Sequence, residues 1–169
     1  MKIFVTILAL LAISTGLYVQ AAFTPRSTLG PDLCDRSLVF PPRGTYTVCF
    51  YDTRTLHGFT GTDRDIAVLD YDWQYAPPNP FTDHDNFEFR GAGLFTFDGT
   101  YIFTVTADDG FRVLIDDVVV FDKWFDQPPT TYHFTKTLNG EHKVTVRYYE
   151  RGGQAVAKLD WELVAAPCN

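Results

Sequence analysis

The sequence predicts an all-β protein, an antiparallel β-sandwich, from three observations. Aromatic residues make up 16% of the 169 residues, with 15 Phe and 9 Tyr, and aromatic side chains favour the half-buried faces of strands. Apolar and polar residues alternate in short runs through the second half of the chain, as at Tyr101, Phe103 and Val105. Glycine dipeptides such as Asp98-Gly99 and Asn139-Gly140 separate these runs, and they suit hairpin turns.

The elements follow in chain order from this pattern. A first strand is expected at 46–51 and a weaker one at 66–71, and a loop rich in Pro, Asn and Asp follows at 76–86. A denser series of strands begins at Phe87, with further turns at Asp109-Gly110, Asp116-Asp117 and Gly152-Gly153. Roughly nine or ten short strands with hardly any helix result, which is typical of a sandwich or barrel.

The N-terminal residues 1–21 are predicted to be a secretory signal peptide. Lys2 supplies a positive start, an apolar run covers 3–13, and Val19-Gln20-Ala21 places small or apolar residues at the cleavage positions. A membrane anchor is the alternative, but the apolar run is short for a span of about 20 residues. We therefore expect a secreted, extracellular protein that does not insert into a membrane.

Three further segments divide the rest of the chain. Residues 22–43 contain several prolines without periodicity, so we expect an extended N-terminal segment there. The sandwich is expected at 44–165 and a short C-terminal tail at 166–169. In an oxidising compartment the cysteines Cys34, Cys49 and Cys168 predict at least one disulfide. We prefer a Cys34–Cys168 bridge that ties the two ends together, with Cys49 as a buried thiol; the other pairings stay open.

Charge and motif content exclude several functions. The formal net charge is −7, and so acidic a surface repels a phosphate backbone, which argues against a nucleic-acid partner. The sequence contains no phosphate-binding loop, nucleophile elbow or zinc-ligand spacing, so we do not expect an enzyme. Asp83-His84-Asp85 has the composition of a metal or acid–base cluster, but it lies in a proline-rich stretch and is interpreted as a solvated loop.

The order of several short pieces in the later two thirds of the chain carries a family resemblance. The pieces are Phe97–Phe103, Ala107–Gly110, Val113–Asp116, Phe121–Trp124 and Gly140–Val144. In this order and spacing they resemble the PA14 domain family of β-sandwiches. The resemblance covers about 44–165 and is specific only in the later part. It departs from the family at Asp117, where glycine is common, and at Phe89, where tryptophan is frequent.

The resemblance implies a metal site. In sugar-binding PA14 proteins, such as yeast flocculins and some bacterial adhesins, two adjacent aspartates joined by a cis peptide bond direct both carboxylates to one Ca²⁺. Here these residues would be Asp108 and Asp109, whose hard anionic oxygens suit Ca²⁺ and its 6–8 oxygen ligands. A late loop would supply the remaining ligands, with Gln154 binding through its side chain and Gly152 and Val156 through their backbone carbonyls.

The implied function is that of a calcium-dependent, carbohydrate-binding adhesion module, or lectin. A bound Ca²⁺ with open positions can take a vicinal diol of a sugar, and Trp73, Tyr75, His84 or Trp124 could stack on the sugar ring. Asp-Asp-Gly is also a good hairpin turn, however. The alternative is therefore a non-catalytic protein-binding or structural subunit of an extracellular assembly that binds no metal. EDTA would abolish the activity of the lectin and leave the assembly module unchanged.

Overall fold

The structure, a computed structural model, describes residues 31–166. The predicted signal peptide at 1–21 lies outside the described residues, as does Cys168. Within them one helix precedes eight strands. The elements are α1 (Pro31–Val39), β1 (Tyr46–Tyr51), β2 (Phe59–Ile66), β3 (Leu69–Gln74), β4 (Phe87–Asp108), β5 (Gly110–Ile115), β6 (Val118–Lys123), β7 (Thr130–Glu150) and β8 (Ala155–Ala165).

Two long strands, β4 with 22 residues and β7 with 21, organise the antiparallel sheet. They pair with each other from Phe87↔Glu150 to Ala107↔Thr130. The first half of β4 also pairs with β1 and its second half with β8, while the second half of β7 pairs with β5. The sheet therefore doubles over, which confirms the predicted β-sandwich.

We name the two layers by their strands. Layer A holds β2, β1, the first half of β4, the second half of β7, β5 and β6, in that order. Layer B holds β3, β8, the second half of β4 and the first half of β7. Because β4 and β7 belong to both layers, the sandwich is one continuous hydrogen-bonded unit.

Aromatic side chains fill the core between the layers. Phe50 of β1 meets Trp73 of β3 edge-on, with 6.0 Å between ring centroids, and Phe89 of β4 meets Tyr71 of β3 at 5.7 Å. Phe50 and Phe89 are fully buried. Each such side chain contributes about 1.5–3 kcal/mol through burial of its apolar surface.

Two of the predicted hairpin turns are wrong. Asp98-Gly99 and Asn139-Gly140 lie opposite each other inside β4 and β7, where Asp98 pairs with Asn139. Both glycines have positive φ, 135° and 92°, and a Cβ on Gly99 would lie 2.3 Å from the carbonyl oxygen of Ala165. Glycine is the residue that tolerates this conformation and this close approach. The dipeptides that favour a turn therefore lie, in this protein, at the point where two paired strands pass from one layer to the other.

The other predicted turns divide into two kinds. Asp116-Asp117 does connect the paired strands β5 and β6, and both residues have positive φ. Asp109-Gly110 and Gly152-Gly153 instead carry the chain from one layer to the other. The first connects the end of β4 in layer B to the start of β5 in layer A, and the second connects the end of β7 in layer A to the start of β8 in layer B.

The N-terminal segment and the disulfide differ from the expectation. Residues 31–39, predicted to be extended, form α1, which lies on the outer face of β1. Cys34 of this helix is bonded to Cys49 of β1, with 6.2 Å between their Cα atoms. The predicted Cys34–Cys168 bridge and the free Cys49 thiol are therefore wrong. A small buried cluster of Leu38, Tyr51 and Ala92 surrounds the bond. In the part of the chain described, no helix is long and apolar enough to cross a membrane.

Candidate functional site

The candidate site lies at the end of the sandwich where the chain changes layers. Asp108 ends β4 in layer B, opposite Val156, and Gly110 begins β5 in layer A, opposite Tyr149. Asp109 is the single residue between them. The Asp108–Asp109 peptide bond is cis, which confirms the expectation that came from the family resemblance.

A third carboxylate joins the two aspartates. Glu150 ends β7, and its carboxylate lies with those of Asp108 and Asp109 so that one ligand oxygen from each falls within 4.8 Å of the others. The three residues are 6%, 5% and 0% exposed. The site predicted from the sequence did not include Glu150. Its position directly before the Gly152-Gly153 loop was the available signal.

Backbone amides from two loops orient Asp109. The amide of Gln127 donates to its Oδ1 at 2.8 Å, and the amide of Arg151 donates to its Oδ2 at 2.9 Å. Gln127 also donates from its side chain to the carbonyl oxygen of Asp109 at 2.8 Å, and its Oε1 accepts from the hydroxyl of Tyr132. This buried glutamine, which sequence reasoning did not single out, thus fixes both the backbone and the carboxylate of Asp109.

Glu150 and Asp108 differ in their partners. The Oε1 of Glu150 accepts from the amide of Gly152 at 2.7 Å, and its Oε2 accepts from the hydroxyl of Tyr148 at 2.6 Å. The same hydroxyl contacts the carbonyl oxygen of Asp108. Within residues 31–166 no group donates a hydrogen bond to the carboxylate of Asp108. Its oxygens therefore remain available to a ligand.

Burial raises the pKa of all three carboxyl groups. It raises the pKa of Asp108 to about 6, and the neighbouring Asp109 charge adds to the effect. It raises the pKa of Glu150 to about 7 against the opposing hydrogen bonds from Tyr148 and Gly152. The pKa of Asp109 also rises through burial, although the amides of Gln127 and Arg151 oppose the rise. The cluster thus favours a bound proton or cation.

The late loop lies against this cluster, but its predicted ligands are placed differently. Gly152 reaches Glu150 through its amide. Val156 pairs with Asp108 on one side and with Asp72 of β3 on the other. The side-chain amide of Gln154 donates to Oε1 of Gln74 at 2.9 Å, which leaves the Oε1 of Gln154 as an acceptor. Ligation by these three residues stays a prediction.

Two of the residues predicted to stack on a sugar lie in the loop beside the site. Tyr75 follows β3 and is 67% exposed. The Nε2 of His84 lies 2.8 Å from Oδ1 of Asp85 and its Nδ1 lies 4.0 Å from Asp83. The Asp85 carboxylate lies 3.6 Å from where a Cβ on Gly152 would be. This loop therefore borders the late loop.

The two predicted tryptophans are both partly buried. Trp73 packs against the core, where its ring stacks on Tyr71 at 4.5 Å, and its role in sugar binding stays a prediction. Trp124 lies on the outer surface of layer A, with its ring centroid 4.9 Å from the guanidinium of Arg112 and 5.0 Å from that of Arg147. It also meets Tyr149 edge-on. Trp124 therefore supports the loop that carries Gln127.

A model of the PA14 domain matches residues 42–165. The chain belongs to the PA14 domain family. A curated relative of this PA14 protein is the anti-sigma-I factor RsgI3 of Acetivibrio thermocellus, which is 31% identical over 97 residues. The match covers 55% of this chain but only 15% of the length of RsgI3, so it concerns a small part of that protein.

Solved structures of similar shape include several PA14 domains. An anti-sigma factor domain-containing protein has a TM-score of 0.67 at 26% identity, covering 74% of this chain and 44% of that one. The PA14 domain of the antifreeze protein MpAFP has a TM-score of 0.61 at 19% identity, covering 73% and 84% of the two chains. The PA14 sugar-binding domain of an RTX adhesin has a TM-score of 0.52 at 17% identity, covering 71% and 90%. The last two likenesses concern the fold alone.

Proposed function

We propose that this PA14 domain is a secreted carbohydrate-binding module whose ligand is held through Ca²⁺. The convergence of three buried carboxylates, Asp108, Asp109 and Glu150, supports this proposal most. Three acids of raised pKa in one place destabilise a protein unless something compensates their charge. A divalent cation compensates it with the ligand type that Ca²⁺ prefers.

The residues around the cluster fit such an ion. Among the described residues, no hydrogen-bond donor contacts the carboxylate of Asp108. Each carboxylate oxygen of Asp109 and Glu150 accepts one hydrogen bond from a described residue and keeps a second lone pair for a ligand. Gln154 has a side-chain oxygen that is not used by Gln74. When bound, Ca²⁺ would supply open coordination positions that neutral, hydrated sugar hydroxyls can fill in place of water.

The chain's own residues would prepare this site before any ligand arrives. The amides of Gln127 and Arg151 hold the Asp109 carboxylate, and Tyr148 holds that of Glu150. The loop after β3 exposes two aromatic side chains, Tyr75 at 67% and Phe81 at 72%. Such rings can cover the apolar face of a sugar, so this loop would select among sugars that share the diol.

An extracellular location follows from the same proposal. The Cys34–Cys49 disulfide supports it, because such bonds persist in oxidising compartments and are rare in the cytosol. The role is one of binding, with no reaction assigned to the carboxylates.

Calcium titration tests the proposal directly. The protein is stripped with EDTA, dialysed and titrated with CaCl₂ in a calorimeter, and it is then applied to a glycan array in CaCl₂, in MgCl₂ and in EDTA. We expect saturable heat with Ca²⁺ and array signals that disappear in EDTA. No calcium heat, together with array signals that EDTA leaves unchanged, would contradict the metal role. A folded protein that binds no glycan under any condition would favour the protein-binding alternative.

A further inference from the structure

The outer surface of layer A carries a row of three arginines on adjacent strands. The strand register places Arg147 of β7 directly opposite Arg90 of β4 on one side and Arg112 of β5 on the other. Like charges directly opposite each other destabilise a sheet. The whole chain has a formal net charge of −7, so this row concentrates positive charge on a largely acidic protein.

Two of the three arginines have acidic partners. Arg147 donates to the fully buried Glu88, and Arg112 donates to Asp122 at 3.0 Å. The ring of Trp124 lies within about 5 Å of both guanidinium groups. These contacts compensate part of the repulsion within the row.

Arg90 is compensated less: its charge opposes the rise in the pKa of the buried Glu88, but the two residues form no ion pair. Its side chain makes neither an ion pair nor a hydrogen bond with any residue that the structure describes, and its Nε is buried without an acceptor. The Nε of Arg112 is buried and without a partner in the same way. A buried N–H that lacks an acceptor destabilises the protein, and both donors lie in the same row. Because both Nε atoms are buried, a ligand from outside the chain would reach Arg90 through its terminal guanidinium nitrogens, which have no hydrogen-bond partner within residues 31–166.

A cavity of about 540 Å³ opens beside Arg90, between α1 and the sheet. Arg90 and Lys143 line it from the sheet, Asp35, Leu38 and Val39 line it from the helix, and Asp117 lines it from the β5–β6 turn. Lys143 is paired with Asp117. Arg90 lines the opening without an ion pair to any described residue, and the carboxylate of Asp35 lies in the same lining. The cavity provides room for a ligand group next to the unpartnered donor.

Two more arginines continue the positive surface toward the carboxylate site. Arg54 lies 5.8 Å from the ring centroid of Tyr149, and Arg151 pairs with Asp126, which also accepts from the hydroxyl of Tyr149. We call the whole surface the arginine face; it comprises Arg54, Arg90, Arg112, Arg147 and Arg151. Three of its five arginines form ion pairs, with Glu88, Asp122 and Asp126, and Asp35 and Asp117 lie beside the cavity at Arg90.

We propose that the arginine face binds carboxylate or sulfate groups of an acidic polysaccharide, with Arg90 making the main contact. Guanidinium groups bind such planar or tetrahedral oxyanions through paired N–H donors. A polysaccharide is favoured over an acidic peptide because the face is continuous with the carboxylate site through Arg151. This choice of ligand class rests on the proposed function, since one sugar chain would then contact both surfaces.

Binding to two polyanions tests the proposal. Heparin presents sulfates, polygalacturonate presents carboxylates alone, and dextran is the neutral control; each is titrated into the wild-type protein in EDTA at low and high salt. We expect binding to at least one polyanion, weakened by salt and absent for dextran. The polyanion that binds more tightly identifies the oxyanion. Failure of a folded protein to bind either one overturns the proposal.

Variants locate the contact. Arg90→Gln removes no ion pair, so we expect it to fold and to bind the polyanion about tenfold more weakly. Arg64→Gln on β2 removes the same charge from an exposed side chain outside the face and should bind like the wild type. Equal affinity of these two variants overturns the role of Arg90. Equal binding of poly-glutamate overturns the choice of polysaccharide.

The variant Asp109→Asn separates this proposal from the function proposed above. It should lose calcium-dependent glycan binding but keep polyanion binding in EDTA. If calcium binding fails and polyanion binding persists, the arginine face stands alone as a polyanion surface. If polyanion binding fails while calcium-dependent glycan binding remains, the arginine face is refuted and the carboxylate site stands.

Discussion

The strand β5 has an aspartate pair at each end, and the two pairs lie in opposite surroundings. Asp108 and Asp109 precede it, buried together with Glu150. Asp116 and Asp117 follow it, exposed in a hairpin turn. One pair has a cis peptide bond and carboxylates of raised pKa. The other has two residues of positive φ and the side chains of His142 and Lys143 next to it.

The neighbours of the exposed pair explain the contrast. The Nδ1 of His142 donates to Oδ2 of Asp116 at 2.6 Å, and Nζ of Lys143 lies 2.7 Å from a carboxylate oxygen of Asp117. Slight burial would raise the pKa of Asp116, but the hydrogen bonds from His142 and Lys143 hold it below the ordinary value. The exposed pair is thus balanced by side-chain donors of β7, whereas under the proposed function the buried pair would be balanced by Ca²⁺.

Exchange of one carboxylate for an amide at each pair tests this contrast with the largest expected effect. Asp109→Asn should weaken calcium binding by more than about a hundredfold, because it removes an anionic ligand from a site that depends on charge. Asp116→Asn should leave the affinity unchanged. Calorimetric titration measures both. Similar affinities for the two variants would mean that the buried pair is no ligand.

Thermal unfolding tests the contrast through stability. At a calcium concentration about a hundredfold above Kd, binding to the folded state alone raises the free energy of unfolding by about 2.7 kcal/mol. We expect this gain in the wild type and in Asp116→Asn and expect none in Asp109→Asn. Calorimetric scans in CaCl₂ and in EDTA provide the comparison. A gain that survives in Asp109→Asn would place the ion elsewhere.

The contributions of Glu150 and Asp116 to stability should depend on pH with opposite signs. In EDTA, Glu150 binds its proton more tightly when folded, since burial raises its pKa from 4.5 to about 7. Its contribution is thus fully present below pH 4.5 and is lost as the pH rises toward 7. Asp116, whose pKa is lowered from 3.8, stabilises the protein above pH 3.8 and loses this effect as the pH falls further.

Urea unfolding between pH 3 and 8 measures these two dependences. Glu150→Gln should reduce the loss between pH 4.5 and 7 without abolishing it, because the amide does not titrate whereas Asp108, with its pKa of about 6, titrates in the same range. Asp116→Asn should leave the loss in place. An unchanged profile in Glu150→Gln would show that Glu150 does not contribute to it.

The smallest effect is expected at the exposed pair itself. His142→Ala removes the side chain that pairs with Asp116. An ion pair near the surface is worth about 0.2–1 kcal/mol. Urea unfolding should show a loss of that size, and calcium affinity should not change. A loss well above this range would mean that the β5–β6 turn depends on His142 for its conformation.

Local patterns predicted the fold class and the two aspartates of the site. Alternation at Tyr101, Phe103 and Val105 identified strands, and the order of family pieces around Asp108-Asp109 pointed to the cis peptide bond. These signals are contained in short stretches of chain. Strand faces carry over to the structure because side chains alternate along a strand whatever its partner, whereas the cis bond was expected from the family resemblance alone.

The remaining features depend on residues that are distant in the sequence. Register alone brings Arg147 beside Arg90 and Glu150 opposite Phe87, and neither pairing leaves a local signature. The same holds for Cys49. Its partner Cys34 lies on α1, a helix that was not predicted because the N-terminal segment contains several prolines. The partial burial of Trp73 also depends on its partners in the core and cannot be read from its residue type.

The continuity of β4 and β7 has a mechanical consequence. Each strand runs through both layers, and the two remain paired from Phe87↔Glu150 to Ala107↔Thr130. Tension applied across the molecule cannot peel one layer from the other without rupturing this ladder in its middle. Under the proposed function, in which the domain holds a ligand outside the cell, such a shared pair of strands would resist shear flow.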